Sequence, residues 1–450
     1  MYHHYLQSLR LPKPKIEIGM EYIPVMVLLI SFIFFLSSGT PVAWSIALSS
    51  FLTILVSIPF LPGVTTIAQR MATGLDSFAL LAIPFFILSG QLMKHGGIAN
   101  RLIAFAKTIV GALPGGLAHI NIISAMLMGA IAGSAMASAS AMGSILGPEM
   151  EKEGYSKEFG AAVNITSSTM GLIIPPSNIL IVYALAGGGL SIASLFLAGY
   201  IPGIITGLFL MVVAAFWAKK KKIPLGKRST LTEVLRSFLK ALPSLFLLFI
   251  VIGGIISGVF TATEASAIAV LYCLVLGLLY KEIHLNNLPN ILLESSVISA
   301  VVMLLIASSM SMSWVMSFQN IPQDLSMALL TLSDNPIVIL LVINLLLLFV
   351  GVFMDITPAV LIFTPIFLPV VTSLGMNPIH FGVVMVLNLC IGLCTPPVGS
   401  VLFVGVGVAN TSIEKVIKPL IPLFIAMVIS LFLVTYIPSL SLWLPQQWGY

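Results

Sequence analysis

One carboxylate stands inside a long apolar run. It is Asp355, in the stretch GVFMDITPAVLIFTPIFLPV that begins at Gly351. An ionisable group in such a segment is costly, so its default reading is functional. It suits three kinds of chemistry: coordinating an ion, carrying a proton, or orienting a tight turn through hydrogen bonds. The order Asp-x-Thr-Pro also suits a plain helix N-cap. A second oxygen-rich stretch, Asn164, Thr166, Ser167, Ser168 and Thr169, leads into a Pro-Pro pair, and Asn388 leads into another. These groups offer either ligand oxygens or hydrogen bonds between helices. Glu264 follows Thr263 at the start of a further apolar segment, where a helix-start role fits. Asp76 and Glu294 read as membrane-edge residues.

The remaining reactive side chains form no constellation. His119 and His380 lie at segment starts with no second ligand at metal spacing. Cys273, Cys390 and Cys394 all sit in apolar runs and read as small core residues. Three cysteines are too few for a disulfide framework, and no zinc set accompanies them. Nucleophile-elbow, zinc-protease, phosphate-loop and dinucleotide signatures are all missing. Without a nucleotide site, the common energy source left is an ion gradient.

The two Pro-Pro pairs are the strongest pattern. MGLIIPPSN starts at Met170 and IGLCTPPVG at Ile391, which sets Gly171 and Gly392 221 residues apart. Pro148, Gly154, Pro175, Pro176 and Ile192 also find partners of their own type 221 residues on, and a Phe-Gly pair is out by one. That many Gly and Pro positions in register imply an internal duplication. Proline lacks an N–H and clashes with the previous helical turn. In lipid the freed carbonyls must find partners. Matched, Gly/Pro-interrupted apolar segments in two halves point to a transporter, with unwound carbonyls facing a cation and half-helix N-termini facing an anion. Upstream of each break lies a hairpin-like stretch, GAIAGSAMASASAMGSILGPEM from Gly129 and the Asp355 segment from Gly351. Both read as re-entrant helical hairpins meeting near the membrane midplane.

The elements that hold these residues must be membrane helices. The chain has 450 residues, 59% hydrophobic and 8% charged, with mean hydropathy +1.13. A soluble domain carries about a quarter charged residues. Segments near 23–36, 195–217, 242–260, 265–280, 297–312, 337–353 and 421–436 approach or reach the ~20 apolar residues of a span, and about ten to twelve membrane elements are expected. The runs are continuous rather than alternating, which excludes a β-barrel. Residues 1–21 are polar and basic without an apolar core, so no cleavable leader is expected there, and His3-His4 is too short for a metal site. Lys219, Lys220, Lys221, Lys222, Lys227, Arg228, Arg236 and Lys240 gather in and beside one mid-chain loop, which the positive-inside rule makes cytoplasmic. Phe238 alone interleaves with them, too little aromatic character for a nucleic-acid patch.

With these motifs in place the sequence resembles the large membrane subunit of tripartite ATP-independent periplasmic (TRAP) transporters, the DctM/SiaM-like permeases. The likeness runs from about residue 22 to 443. It is carried by AGSAMASASAMGSILGPEM, TSSTMGLIIPPSNILIVYA, GVFTATEASAIAVLY and the long block from Phe353 through LGMNPIHFGVVMVLNLCIGLCTPPVGSVLFV. The resemblance implies the ion-transporter-superfamily fold: an all-α polytopic membrane protein, an inverted-repeat elevator with two re-entrant hairpins. It implies sodium as coupling ion with no other cofactor, a small four-helix membrane subunit, a periplasmic substrate-binding protein, and a multi-pass place in the bacterial inner membrane. Its substrates would be organic anions such as C4-dicarboxylates, sialic acids or sugar acids, and it would not be an enzyme.

Mapped onto this chain, the resemblance gives a polar N-terminal segment at 1–21. Scaffold and arm helices follow at 22–111, and a first transport repeat at 112–218 with its hairpin at about 115–150 and break at 171–176. A basic cytoplasmic loop at 219–240 precedes second-half scaffold helices at 241–335. A second transport repeat at 336–410 has its hairpin at about 336–374 and break at 392–397, and a C-terminal helix region fills 411–450. One sodium site would use Gly133, Ser134, Gly171, Ile174 and Pro176. The other would use Gly351, Gly392, Thr395 and Val398. Substrate would lie near Ser134, Ser138 and Asp355. Many family members have Asp where this chain has Ser138, which leaves that residue's role the least defined. The sequence offers no arginine in the hairpins to clamp a carboxylate. Rival readings are a stand-alone sodium:organic-anion symporter of the same superfamily, an intramembrane enzyme built around Asp355 alone, and a purely structural membrane subunit.

Overall fold

The computed structural model describes residues 23–450 apart from 227, 228 and 334. The polar start at 1–21, His3-His4, Lys227 and Arg228 therefore lie outside the described residues. Every described element is helical. In the first half run α1 (Ile23–Ser37), α2 (Val42–Ser57), α3 (Phe60–Leu75), a 3-10 turn (Phe78–Leu81), α4 (Ala82–His95), α5 (Ile98–Val110), α6 (Gly116–Ala132), α7 (Ala135–Lys152), α8 (Lys157–Met170), α9 (Asn178–Ala186) and α10 (Ile192–Lys220). The second half holds α11 (Leu231–Ile256), α12 (Ala262–Leu279), α13 (Leu288–Phe318), α14 (Ile321–Leu332), α15 (Pro336–Phe353), α16 (Ile356–Ser373), α17 (Pro378–Gly392), α18 (Ser400–Val408), α19 (Ile413–Tyr436) and α20 (Ser439–Gln447). Among the described residues, eight helical stretches are long and apolar enough to cross a membrane, and four shorter apolar helices accompany them. Large side chains such as Phe34, Phe216, Phe249 and Phe349 face outward, as lipid-exposed surfaces require.

The basic connector is shorter than expected at 219–240. α10 continues through Lys220, and α11 already begins at Leu231, so Arg236 and Lys240 ride on a helix. The reason is local. Thr230 and Glu233 form a capping box, the Thr230 N–H donating to Glu233 Oε2 at 2.7 Å and the Glu233 N–H to Thr230 Oγ1 at 3.3 Å.

The duplication is visible as packing. α6 and α7 form a hairpin joined at Gly133-Ser134; α15 and α16 form another joined at Met354-Asp355. α6 packs on α8, and α15 packs on α17. Each second arm then crosses to the other half, α7 against α18 and α16 against α9. Close backbone approach fixes both hairpins at the breaks. A Cβ on Gly129 would lie 2.6 Å from the Gly171 Cα, and one on Gly392 would lie 2.6 Å from the Gly351 carbonyl carbon. A side chain at Gly129 or Gly392 would collide with backbone, so glycine is required at both positions.

A buried polar clasp backs each contact. In the first half Ser167 donates to Asn121 Oδ1 at 3.3 Å. In the second, Asn388 Nδ2 donates to both the carbonyl and Oδ1 of Asn344, at 2.9 and 2.7 Å. The two broken helices also meet each other: Cys390 Sγ donates to the Thr169 carbonyl at 3.3 Å, joining two positions that are equivalent in the 221-residue register. The cysteines are free, buried packing residues, as their apolar surroundings suggested.

Candidate functional site

Both helix breaks are real interruptions. α8 stops at Met170 and α9 starts at Asn178; α17 stops at Gly392 and α18 starts at Ser400. The Pro175–Pro176 and Pro396–Pro397 bonds are both cis. Ser177 restarts the first helix, its Oγ accepting from the Leu180 N–H while its hydroxyl donates to the Leu172 carbonyl. Among the described residues no hydrogen bond reaches the carbonyls of Gly171, Ile174, Pro175 or Pro176, nor those of Thr395, Pro396 or Pro397. Unpartnered carbonyls within an apolar shell need a cation or water.

The second break gathers oxygens most clearly. The Gly351 carbonyl oxygen lies 2.9 Å from where a Cβ on Gly392 would sit. The Leu393 and Thr395 carbonyls lie 2.7 and 2.9 Å from the equivalent point on Gly399. The Thr395 hydroxyl donates to Ile391 at 2.8 Å, which leaves its lone pairs for a ligand. The Val398 side chain is exposed, so this residue offers only its carbonyl. In the first break Ile174 presses its side chain beneath Gly203 of α10, so it too has only a backbone oxygen to give. A Cβ on Gly133 would run into the Asn178 side chain, which places the first hairpin tip against the restart of its own broken helix.

A cavity of about 370 Å³ joins these parts. Its lining takes Gly133 and Ser134 from the first tip, Asp355 and Thr357 from the second, Leu172 and Leu393 from the two breaks, and Asn178. The rest of the lining comes mainly from α4, with Ile87, Gln91 and Lys94, and from α13, with Val297, Val301 and Leu305. Asp355 occupies the N-cap position of α16, yet its side chain makes no capping hydrogen bond. The cap role open to it from sequence is therefore not what occupies its carboxylate. Ser134, at the matching position of the first hairpin, does cap: its Oγ accepts from the Ala137 N–H at 3.3 Å.

The structure does not bring Ser138 to the cavity. That residue is fully buried one turn into α7, and its hydroxyl donates across the hairpin to the Ala125 carbonyl at 3.3 Å. The expected substrate contact is thus replaced by a bond between hairpin arms, because the α7 face that carries Ser138 is the one turned towards α6. Glu264 closes a capping box with Thr261, its Oε2 accepting from the Thr261 N–H at 2.8 Å. His119 and His380 each hydrogen-bond one carbonyl, of Pro114 and Val434. Asn164 and Asn388 hold hairpins through Nδ2 rather than facing the cavity lining. No cluster of three metal-ligating side chains occurs among the described residues. Sequence reasoning missed Asn178, Gln91 and Lys94. Asn178 had a signal, since it begins the helix directly after a Pro-Pro-Ser break. Gln91 and Lys94 had none, because nothing in their own segment shows what they face.

Comparison with known proteins agrees with this geometry. The sequence profile of the family described as "Tripartite ATP-independent periplasmic transporter, DctM component" matches residues 29–440. The chain belongs to the DctM family. Among relatives, an uncharacterized protein YgiK of Salmonella typhimurium is 54% identical over 426 residues, covering 94% of this chain and 98% of the relative. The C4-dicarboxylate TRAP transporter large permease DctM of Pseudomonas aeruginosa is 41% identical over 406 residues, covering 90% and 94%. The solved YdaH transporter of Alcanivorax borkumensis superposes with a TM-score of 0.65 at 13% identity, covering 86% of this chain and 90% of that one; the likeness is one of fold. As a DctM-family protein the chain is a multi-pass, all-α large permease component of a TRAP transporter, and not an enzyme.

Proposed function

We propose that this DctM-family chain imports an organic anion across the bacterial inner membrane, coupled to sodium, with a small four-helix membrane subunit and a periplasmic binding protein as partners. The observation that carries the reading is the cavity of about 370 Å³ on which two hairpin tips and two unwound breaks converge. Sodium ions are the cargo that these backbone oxygens suit: Gly351, Gly392, Thr395 and Val398 on one side, Gly133, Ser134, Gly171, Ile174 and Pro176 on the other, with the carbonyls of Gly171, Ile174, Pro176 and Thr395 free of hydrogen bonds and those of Gly392 and Ser134 already accepting one. Filling the breaks ties each hairpin tip to its broken helix. It also offsets the Asp355 charge, so that an anion can settle between the tips. The two half-helix N-termini at Asn178 and Ser400 add N–H groups favourable to negative charge. The crossed packing of α7 on α18 and of α16 on α9 makes α6–α9 with α15–α18 one body. That body moves as an elevator against α1–α5 and α11–α14, carrying substrate and sodium together.

The test is uptake in proteoliposomes containing this chain, its small subunit and its delivery protein. A panel of organic acids is offered with and without an inward sodium gradient, and repeated with Asp355→Ala and Thr395→Ala. Uptake that needs sodium and the delivery protein, that is lost in Asp355→Ala and that needs only more sodium in Thr395→Ala, is the expected result. Sodium-driven uptake without the delivery protein would replace the tripartite reading by a stand-alone symporter.

A further inference from the structure

The hairpin tips contain no basic residue, although the proposed cargo is an anion. The cavity nevertheless holds one cation. Lys94 lies on α4, three residues after Gln91, so the two project from one helix face. Both line the same cavity as Ser134, Asn178 and Asp355. Gln91 Oε1 is buried with no hydrogen-bond partner. A buried acceptor left unpaired costs free energy until a donor arrives. Lys94 is exposed, and among the described residues no carboxylate pairs with it within ion-pair distance. Apart from Asp355, it is the only charged group in the lining. The wall that bears the two residues is firmly set. α4 packs along α12 and α13, and its last residue, His95, lies 3.8 Å from Glu294 of α13.

We propose that Gln91 and Lys94 form the second half of the substrate site, an ammonium for the carboxylate and an amide oxygen for a hydroxyl or N–H of the same molecule. This rests on the reading of the cavity as an organic-anion site. The ammonium supplies three donors as a compact charge, whereas the tips supply a hydroxyl, an amide and backbone N–H groups. Because α4 belongs to the proposed static part and the hairpin tips to the proposed moving body, the anion meets both halves only while the tips stand against α4. Lys94 therefore sets affinity in this conformation alone.

The experiment uses the purified full chain in detergent and follows thermal stabilisation by succinate, gluconate, N-acetylneuraminate and isethionate in sodium chloride. Each variant's response to sodium alone is read alongside. Lys94→Ala is expected to weaken the best-bound acid about tenfold, the lower end for a hydrogen bond to a charged group because the ammonium is exposed. Lys94→Arg should retain most of the affinity, and Lys94→Glu should abolish it. Gln91→Ala should penalise a hydroxylated acid more than succinate or isethionate. Unchanged acid binding in Lys94→Ala overturns the proposal. So does a Lys94→Ala effect that vanishes in an Asp355→Asn background, since Lys94 would then only offset Asp355. A wild type that responds to sodium but to none of the acids overturns the clamp; one that responds to neither overturns the reading beneath it.

Discussion

The two halves share a backbone plan and differ in side-chain chemistry. Gly129 meets Gly171 as Gly351 meets Gly392, and Ser167 with Asn121 stands where Asn388 with Asn344 stands. On that common frame the 221-residue register exchanges particular groups. Ser134 becomes Asp355 at the hairpin tip, Ile174 becomes Thr395 in the break, and Asn178 becomes Gly399 at the restart. The first half thus gives the cavity neutral hydrogen-bonding groups. The second gives it a carboxylate and a ligand hydroxyl. Duplication supplied the geometry, and divergence at three matched positions supplied an asymmetric site.

The largest expected effect tests the shared plan. Gly392→Ala and Gly129→Ala each push a methyl into backbone that cannot yield, at a cost of about 2–3 kcal/mol. Thermal unfolding of the purified chain should show a similar loss for both. Tolerance of one alone would break the equivalence of the halves.

Next come the tips. Asp355→Asn should lower sodium-driven uptake about ten- to hundredfold, the range for losing an interaction with a charged group. Ser134→Ala should lose a cap and one neutral hydrogen-bonding group, about 1 kcal/mol. Equal losses in uptake would contradict the assignment of charge chemistry to the second half.

The clasps separate the halves by less. Asn388→Ala removes two buried hydrogen bonds and should destabilise by about 1.5 kcal/mol, against about 0.5 kcal/mol for Ser167→Ala, whose one hydroxyl hydrogen is shared between two long contacts, Asn121 Oδ1 and the Asn164 carbonyl, at 3.3 Å each. Chemical denaturation in mixed micelles would rank them. The smallest effect is expected for Thr395→Val. Its hydroxyl is already engaged with Ile391, so apparent sodium affinity should fall about threefold, a fraction of one hydrogen bond. An effect as large as that of Asp355→Asn would make the hydroxyl, rather than the carbonyls, the main ligand.

Much of this architecture could be read from residues. Gly and Pro positions in register announced the breaks and hairpins, because each constrains the backbone wherever it occurs. Asp355 announced itself by its cost in an apolar run. Facing was harder to read. Ser138 lies four residues past the tip Ser134, yet it turns to the other hairpin arm, a matter of helical phase that a motif does not reveal. Lys94 and Gln91 look like an ordinary helix end in GQLMKHGG; only packing on α12 and α13 shows that they border the cavity. The basic connector was misjudged in length because the capping box at Thr230 and Glu233 restarts a helix within a charged stretch.

The claim on which everything else depends is that the breaks hold sodium. Its most direct measurement is the thermal stability of the purified full chain titrated with sodium chloride, against potassium chloride at matched ionic strength. The account predicts a saturable upward shift in sodium that potassium does not reproduce, with a weaker apparent affinity in Thr395→Val. Identical curves in the two salts would contradict it.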